Sequence, residues 1–410
     1  MKYLKLSTYD TGGAGSAAVQ SVQQISDRDV NAKLLVLYKT TSNVNVIGLF
    51  CEKNKIQKLL YRIYRRLVRM YKSYKSPHSN AKYCYYDFQL SAISAKRILR
   101  LYGDIPDVID VYWCTDFVSF KTIYQLQKMT NARVVYSMSD NAYLTGGCHY
   151  PWDCKGYMHD CFPCPAINRN STLSRSTLRF KKKYSIPNAL VTGTGNDCMR
   201  AAQSVVFSNA IIRPSVSLGF APSVSHSRAY CRAKWSIPSD SLVIFFGALN
   251  VNDPRKGFNY LVDALNKIKD ANQECINITL LIAGQNNAYR DDFYNIIDVG
   301  MLDFQQLLQA YCASDVFVCP SVEDSGPMMI NYAFCCNIPI VAFEMGVAID
   351  LVQHKENGWI SPLYDTDDMR DGIMYCLNTI DRVKLVEVNK KITQDIKENK
   401  SYFRHIGLEF

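Results

Sequence analysis

The sequence predicts an α/β protein built on parallel sheets, with room for two domains, and three observations carry that reading. The chain has 410 residues, 48% of them hydrophobic, enough to bury two cores of about 200 residues each. Short β-branched runs such as Ile278–Ala283 and Asp315–Cys319 alternate with segments whose apolar residues recur at helical spacing. The crossings from strand to helix are glycine-rich or charged turns. In an open parallel sheet such turns lie at the carboxyl ends of the strands, where ligands bind.

Tyr3–Ser7 reads as the first strand. It runs into Tyr9-Asp10-Thr11-Gly12-Gly13-Ala14-Gly15-Ser16 and then an Ala/Val/Gln run of helical period. Glycines there let backbone N–H groups approach a ligand, although a turn made only for packing reads the same way. The spacing is not that of the dinucleotide fingerprint G-x-G-x-x-G. Ala32–Tyr38 is the next strand.

Lys53–Lys75 then holds nine Lys or Arg and no acid. Ile56, Leu59, Leu60, Ile63, Tyr64, Leu67, Met70, Tyr71 and Tyr74 recur at three- and four-residue steps, and Lys55, Lys58, Arg62, Arg65, Arg66, Arg69 and Lys72 take the other face. Such a basic amphipathic helix suits an anionic membrane surface, where each charge contributes about 1 kcal/mol. The alternative is a helix docked on its own domain with a solvated basic face. Nucleic acid is not expected, because no nucleic-acid-binding fold accompanies the charge. Arg179–Lys183 adds a second basic cluster to a chain of net charge +10.

Asp107–Tyr112 and Arg133–Met138 read as strands ending at Trp113–Asp116 and at Ser139-Asp140, both on the ligand side. Cys148, Cys154, Cys161 and Cys164 follow, spaced C-x5-C-x6-C-x2-C in a Gly/Pro/aromatic loop. Four thiolates so close can surround a structural Zn²⁺ at ~2.3 Å, with His149 and His159 as substitute ligands. Reduced unliganded thiols and a redox pair are the alternatives. Four cysteines would leave no open position for a catalytic metal, so no catalytic cofactor is expected.

In the second half, Ser241–Phe246 is a strand leaving at Gly247-Ala248-Leu249. The turn Asn252–Phe258 carries Arg255 and Lys256, which can neutralise a diphosphate, Arg by a fork and Lys as a point charge; a solvated turn is the alternative. Asp315–Cys319 is a buried strand, stopped by Pro320. Its turn carries Glu323 and Asp324, then Gly326 and Pro327 lead into a helix over Met328–Cys336, and Ile338–Phe343 is a further strand. The helix N-terminus attracts an anion while the carboxylates suit sugar hydroxyls, so a sugar diphosphate satisfies both. An N-cap carboxylate beside an ordinary loop is the alternative. Asp367–Leu377 and Val383–Lys400 close the chain as helices.

No run approaches the ~18–20 apolar residues of a membrane span, and MKYLKLSTYD has no signal core, so a cytoplasmic protein is expected, with peripheral attachment at the membrane's inner face through Lys53–Lys75. Fifteen scattered cysteines suit a reducing compartment.

The string PSVEDSGPMMINYAFCCNIPIVAFEMG resembles the donor-site signature of family 4 glycosyltransferases, and is most similar to a bacterial branch that assembles exopolysaccharide, capsule and O-antigen. Thr145-Gly146-Gly147-Cys148-His149-Tyr150, the Arg255-Lys256-Gly257 turn and the Gly12-Gly13-Ala14-Gly15 turn resemble further segments of that family. The resemblance implies a GT-B fold: two Rossmann-like, doubly wound domains facing across a cleft. It implies an acceptor-side domain over 1–222, with Ile211–Pro222 as linker, a donor domain over 223–385, and a terminal helix over 386–410 returning to the first domain. The implied reaction is retaining transfer of a hexose from a nucleotide diphosphate sugar to a glycan or polyprenyl-linked acceptor. Arg255, Lys256 and the helix start at Met328 and Met329 would stabilise the departing diphosphate, and Glu323 would contact the donor sugar. Asp324 and Tyr332 would flank sugar or ribose, Val299 would lie along the base, and Gly247, Gly326 and Pro327 would shape the pocket. Gly12, Gly13 and Asp140 would line the opposite wall. Three positions depart from the family pattern: Tyr332 or Asn331 stands where a second glutamate is usual, Ser139 where a His is, and Ala248 where an Arg is. A nucleotide-sugar-binding protein of the same fold with weak or no turnover is the alternative function.

Overall fold

A computed structural model describes residues 1–27, 30–51, 54–75, 80–86, 89–168, 171–216, 218, 226–271 and 277–398. The described residues divide into two compact units, one within Met1–Ser215 and one within Val216–Asn399. The expected boundary at 222 and the end of the expected returning helix lie outside the described residues.

The first unit runs β1 (Lys2–Tyr9), α1 (Gly12–Ser26), β2 (Asn31–Lys39), β3 (Val46–Cys51), α2 (Lys55–Lys75), α3 (Ala95–Tyr102) and β4 (Val108–Val111). It continues with α4 (Phe120–Thr130), β5 (Arg133–Ser137), α5 (Leu173–Lys183), β6 (Leu190–Gly193), α6 (Gly195–Gln203) and β7 (Ile211–Pro214). The seven strands form one parallel sheet in the order β3-β2-β1-β4-β5-β6-β7. Successive residues of β1 serve opposite faces: Leu4 and Leu6 enter the core shared with Ile109 and Val111, while Tyr3 packs with Ala18, Val22 and Leu34. Both faces are buried, as a parallel sheet requires. Ile211–Pro222, expected as linker, begins instead with an edge strand. Its first residues pair with β6, and Pro214 is tolerated because β7 is the edge of the sheet among the described residues.

The second unit runs α7 (Arg228–Lys234), β8 (Leu242–Asn250), α8 (Phe258–Ala271), β9 (Ile278–Gln285), β10 (Asn295–Gly300), α9 (Phe304–Ala313) and β11 (Val316–Cys319). Then come α10 (Met328–Cys335), β12 (Ile340–Phe343), α11 (Ala348–Leu351), β13 (Gly358–Ser361), α12 (Thr366–Asn378) and α13 (Arg382–Glu398). Its six strands are parallel in the order β10-β9-β8-β11-β12-β13. β11 is anchored where it begins: the Asp315 carboxylate accepts from Arg232 Nη2 at 2.8 Å and from Val243 N at 2.8 Å, and also pairs with Arg228. The described part of α13 packs on this unit. Leu385, Asn389 and Ile392 are buried at four- and three-residue steps, and Asn389 Nδ2 donates to the Phe334 carbonyl at 3.1 Å.

Candidate functional site

In the second sheet β8 and β11 are neighbours although β9 and β10 intervene in sequence, so the strand order reverses between them. That switch point leaves a crevice at the carboxyl ends of β8 and β11. Arg255, Lys256, Glu323, Asp324 and the start of α10 stand there. Pro254–Lys256 forms one 3₁₀ turn capped by Asp253, whose carboxylate accepts from Arg255 N at 3.0 Å and from Arg255 Nη2 at 2.6 Å. The Arg255 carbonyl accepts from Val322 N at 2.8 Å. Lys256 Nζ pairs with the Asp324 carboxylate. Gly257 has φ +66°, and a Cβ on it would sit 1.8 Å from the Pro320 carbonyl oxygen. The basic turn and the acidic turn are therefore one piece.

Burial pulls the Lys256 ammonium towards neutrality, but Asp324 outweighs it and the group's pKa is raised. Lys256 accordingly holds its charge at neutral pH. Glu323, expected on the donor sugar, is buried at 2% exposure, leaving Asp324 as the more open carboxylate of the pair. Asp324 N donates to Met345 Sδ at 3.1 Å.

Pro327 is the N-cap of α10, and no side chain caps the helix. The amides of Met328 and Met329 thus open the positive end of the helix dipole. Gly247, towards the end of β8, lets this helix come close: a Cβ there would meet Met329 Cε at 2.4 Å. Of the two positions where a second glutamate is usual, Asn331 is buried at 4% exposure, whereas Tyr332 is partly exposed and meets Phe304 edge-on at 5.4 Å. Val299, on β10, packs at the margin of the same apolar cluster.

The first unit has its own switch point, between β1 and β4. Tyr9 packs against Tyr38 at 5.1 Å and Trp113 at 5.8 Å between ring centroids. Gly12 has φ +76°, and neither Gly12 nor Gly13 has an atom within 4 Å of where a Cβ would lie, so this turn borders open space. Thr11 makes no side-chain cap to α1. Gly15 is the packing glycine, since a Cβ there would lie 2.8 Å from the Asp10 carbonyl carbon.

Two buried aspartates, Asp10 at 2% and Asp140 at 4% exposure, shape this end. Asp10 accepts from Thr40 N at 3.0 Å, Thr40 Oγ1 at 2.8 Å, Thr41 N at 2.8 Å and Thr41 Oγ1 at 2.7 Å. Asp140, expected on the wall, accepts from His149 Nδ1 at 2.6 Å, Trp113 Nε1 at 2.7 Å and Ala142 N at 2.8 Å. His149 Nε2 lies 3.4 Å from Thr115 Oγ1. Asp140 is thus a positioning residue for Trp113 and His149. His149, with both nitrogens engaged in this network, is not a spare ligand for the cysteines; sequence reasoning missed its partner because only the fold turns it back on Asp140.

Burial would raise both carboxyl pKa values, but the hydrogen bonds, and for Asp140 the charge of His149, win and lower them. A depressed folded-state pKa gives stability that is present above the unfolded value of 3.8 and lost as pH falls through the folded one. Melting temperature should therefore fall below about pH 4. Asp140→Asn should lower it at neutral pH and narrow the gap to wild type as pH drops. A gap of constant width from neutral pH to pH 3 would refute this assignment.

Cys148, Cys154, Cys161 and Cys164 line one cavity of about 10 Å³. Cys161 Sγ accepts from Gly146 N at 3.2 Å, Cys154 Sγ from Gly156 N at 3.5 Å, and Cys164 from the amides of Ala166 and Ile167. Among the described residues no group of three or more His, Cys, Asp or Glu already stands at metal-holding geometry. Lys181, fully buried, ties the start of this loop by donating to the Thr145 carbonyl at 2.9 Å.

Residues 240–379, within the second unit, match the family described as Glycosyl transferases group 1. A sulfoquinovosyl transferase of Arabidopsis thaliana is 25% identical over 142 residues, 33% of this chain and 26% of that protein. The chain thus spans well under half the length of that curated relative. Sucrose-phosphate synthase from Thermosynechococcus elongatus superposes at a TM-score of 0.58 with 17% identity, covering 99% of this chain and 96% of that one. HepE of Anabaena, solved in complex with UDP, superposes at 0.56 with 16% identity over 98% and 100%; the same protein is also solved with UDP-glucose. These likenesses assign the fold: each unit is a doubly wound parallel-sheet domain, and the chain has the GT-B fold.

Proposed function

We propose that the protein is a retaining glycosyltransferase that moves a hexose from a nucleotide diphosphate sugar to a hydroxyl of a glycan or polyprenyl-linked acceptor, in the assembly of a cell-surface polysaccharide. The observation that carries this reading is the fused turn at the β8/β11 switch point, where Lys256, Asp324 and the uncapped start of α10 converge. In the donor complex the diphosphate takes Lys256, the Met328 and Met329 amides, and Arg255 once it leaves Asp253. The bond from the anomeric carbon to the diphosphate oxygen breaks, the acceptor oxygen bonds to the same face, and the acceptor proton leaves with the phosphate. Preorganised positive charge stabilises the departing group and does here what a divalent cation does at other phosphate sites. UDP in HepE supports a uridine donor. No helix among the described residues is long and apolar enough to cross a membrane; the reading places the enzyme on the cytoplasmic side, where such donors are made.

Calorimetry with UDP, GDP and their sugar conjugates tests this reading. Micromolar binding of one nucleotide, followed by glycosylation of an added acceptor, is the expected result. Tyr332 in place of a carboxylate favours a second reading, nucleotide binding without turnover, which predicts the same affinity and no glycosylated product. Absence of binding to any of these nucleotides would remove both.

For the cysteine loop the proposal is a structural Zn²⁺ held by Cys148, Cys154, Cys161 and Cys164. The four cysteines line one void, and three of their sulfurs accept backbone N–H bonds, which suits thiolate ligands. Coordination at ~2.3 Å would draw the sulfurs inward. Elemental analysis should find about one zinc per chain, lost in Cys164→Ser, with a lower melting temperature after chelation. Zinc-free protein whose melting ignores chelator would end the proposal.

A further inference from the structure

α2 splits its surface into three stripes. Gln57, Tyr61, Tyr64, Val68 and Tyr71 face the domain. Tyr61 meets Tyr38 at 4.3 Å, Tyr64 meets Phe50 at 6.0 Å, and Tyr64 Oη donates to the Asp116 carbonyl at 2.6 Å. At about 100° per residue, a second stripe lies roughly 100° to one side. It consists of Ile56, Leu60, Ile63, Leu67, Met70 and Tyr74, and these are between 49% and 82% exposed. Roughly 120° to the other side run Lys55, Lys58, Arg62, Arg65 and Arg69, all exposed. Lys53 lies outside the described residues.

The sequence leaves two readings for this helix, and the structure changes both. The helix is docked, but by its tyrosines. Its aliphatic residues are not what holds it to the domain, and six large side chains in a row on one helix are far more than the scattered exposed apolar residues of an ordinary surface. Arg65 spans the junction, donating to Tyr61 Oη at 2.9 Å. α2 contains no acidic residue that could neutralise the basic stripe.

We infer that α2 is an interfacial helix that seats its Ile/Leu/Met stripe among the lipids of an anionic leaflet while its basic stripe meets the headgroups. Charge complementarity selects this occupant. A second copy of the chain would lay one row of arginines beside another, and a nucleic acid would engage the cations but leave the aliphatic stripe in water. Leu59, 58% exposed, and the exposed Arg66 lie between the two stripes on the side away from the domain, so a leaflet bearing phosphate headgroups over an apolar interior meets the aliphatic stripe and the cations that flank it in one orientation. The docking aromatics reach Tyr9 through Tyr38, so the helix packs against the end of β1, just ahead of the open Gly12-Gly13 turn. The inference rests on α2 alone and stands apart from the transferase reading.

Co-sedimentation of the full chain with vesicles of phosphatidylcholine, with and without phosphatidylglycerol, tests it. The protein is expected to bind the anionic vesicles at least roughly tenfold more tightly than the neutral ones, and more weakly as salt is raised. Leu60→Asn with Leu67→Asn, and separately Arg62→Ser with Arg69→Ser, should each reduce binding at least roughly tenfold. All four positions are exposed, so both variants should keep the wild-type melting temperature and nucleotide affinity, which separates failure here from failure of the donor site. Protein left in the supernatant with anionic vesicles would overturn the inference. So would a leucine variant that binds like wild type, or a dimer in sedimentation velocity that the leucine variant disperses while vesicles bind neither protein.

Discussion

Lys256→Ala is expected to weaken nucleotide binding by roughly 30- to 1000-fold, a loss of about 2–4 kcal/mol, with the larger loss for the diphosphate over the monophosphate. The substitution acts twice. It removes the ammonium paired to Asp324, and it leaves that carboxylate without this counter-charge beside the position the diphosphate takes. Lys256→Arg should recover part of the affinity, since a guanidinium restores charge but not the point geometry. Calorimetry with UDP and UMP on wild type and both variants reads this out, alongside a melting curve to show that the alanine variant is folded. Equal affinity for UDP in wild type and Lys256→Ala would mean that the diphosphate does not lie at this turn.

Gly257→Ala should cost the second unit roughly 3–5 kcal/mol and lower its melting temperature by roughly 6–20 °C. A side chain at φ +66° is unfavourable in itself by about 1–2 kcal/mol. Contact with backbone costs more: the Pro320 carbonyl, 1.8 Å from the new Cβ, cannot swing away as a flexible side chain would. Relief requires the basic turn to part from the acidic one, which breaks the Val322 to Arg255 hydrogen bond of 2.8 Å and the Lys256–Asp324 pair. Nucleotide affinity should therefore fall with stability. Gly13→Ala is the contrast, because nothing lies within 4 Å of its Cβ, and its melting temperature should stay close to that of wild type. A Gly257→Ala protein that melts and binds UDP as wild type does would show that the two turns are not mechanically joined.

Most strands were legible in the chain because a strand buried on both faces needs a short, nearly continuous apolar run, and such runs stand out: Ala32–Tyr38, Ile278–Ala283 and Asp315–Cys319 all lie within a residue or two of the strands that formed. The chemistry at the second switch point was legible for a related reason. Arg255-Lys256-Gly257 and Glu323-Asp324 each sit in a short turn beside a recognisable strand, so local sequence fixed their place at the strand ends. Residue pairs far apart in sequence were not legible. Asp10 finds its donors at Thr40 and Thr41, thirty residues on, and the importance of those threonines exists only because β1 and β2 are neighbours. The partner of Asp140 is likewise hidden until the loop after β5 folds His149 back onto it. In α2, tyrosine and leucine count alike as apolar, so periodicity shows one broad face where the structure has a docked stripe and a bare one.

By itself, then, the sequence determined the parallel α/β architecture, the positions of the ligand-side turns and the charge they carry, because these depend on residue type and on spacing within a single βα crossing. Only the tertiary structure decided which of those groups are joined, which are buried and which side of α2 is left uncovered. Strand order sets those outcomes, and strand order is fixed by the packing of the whole sheet.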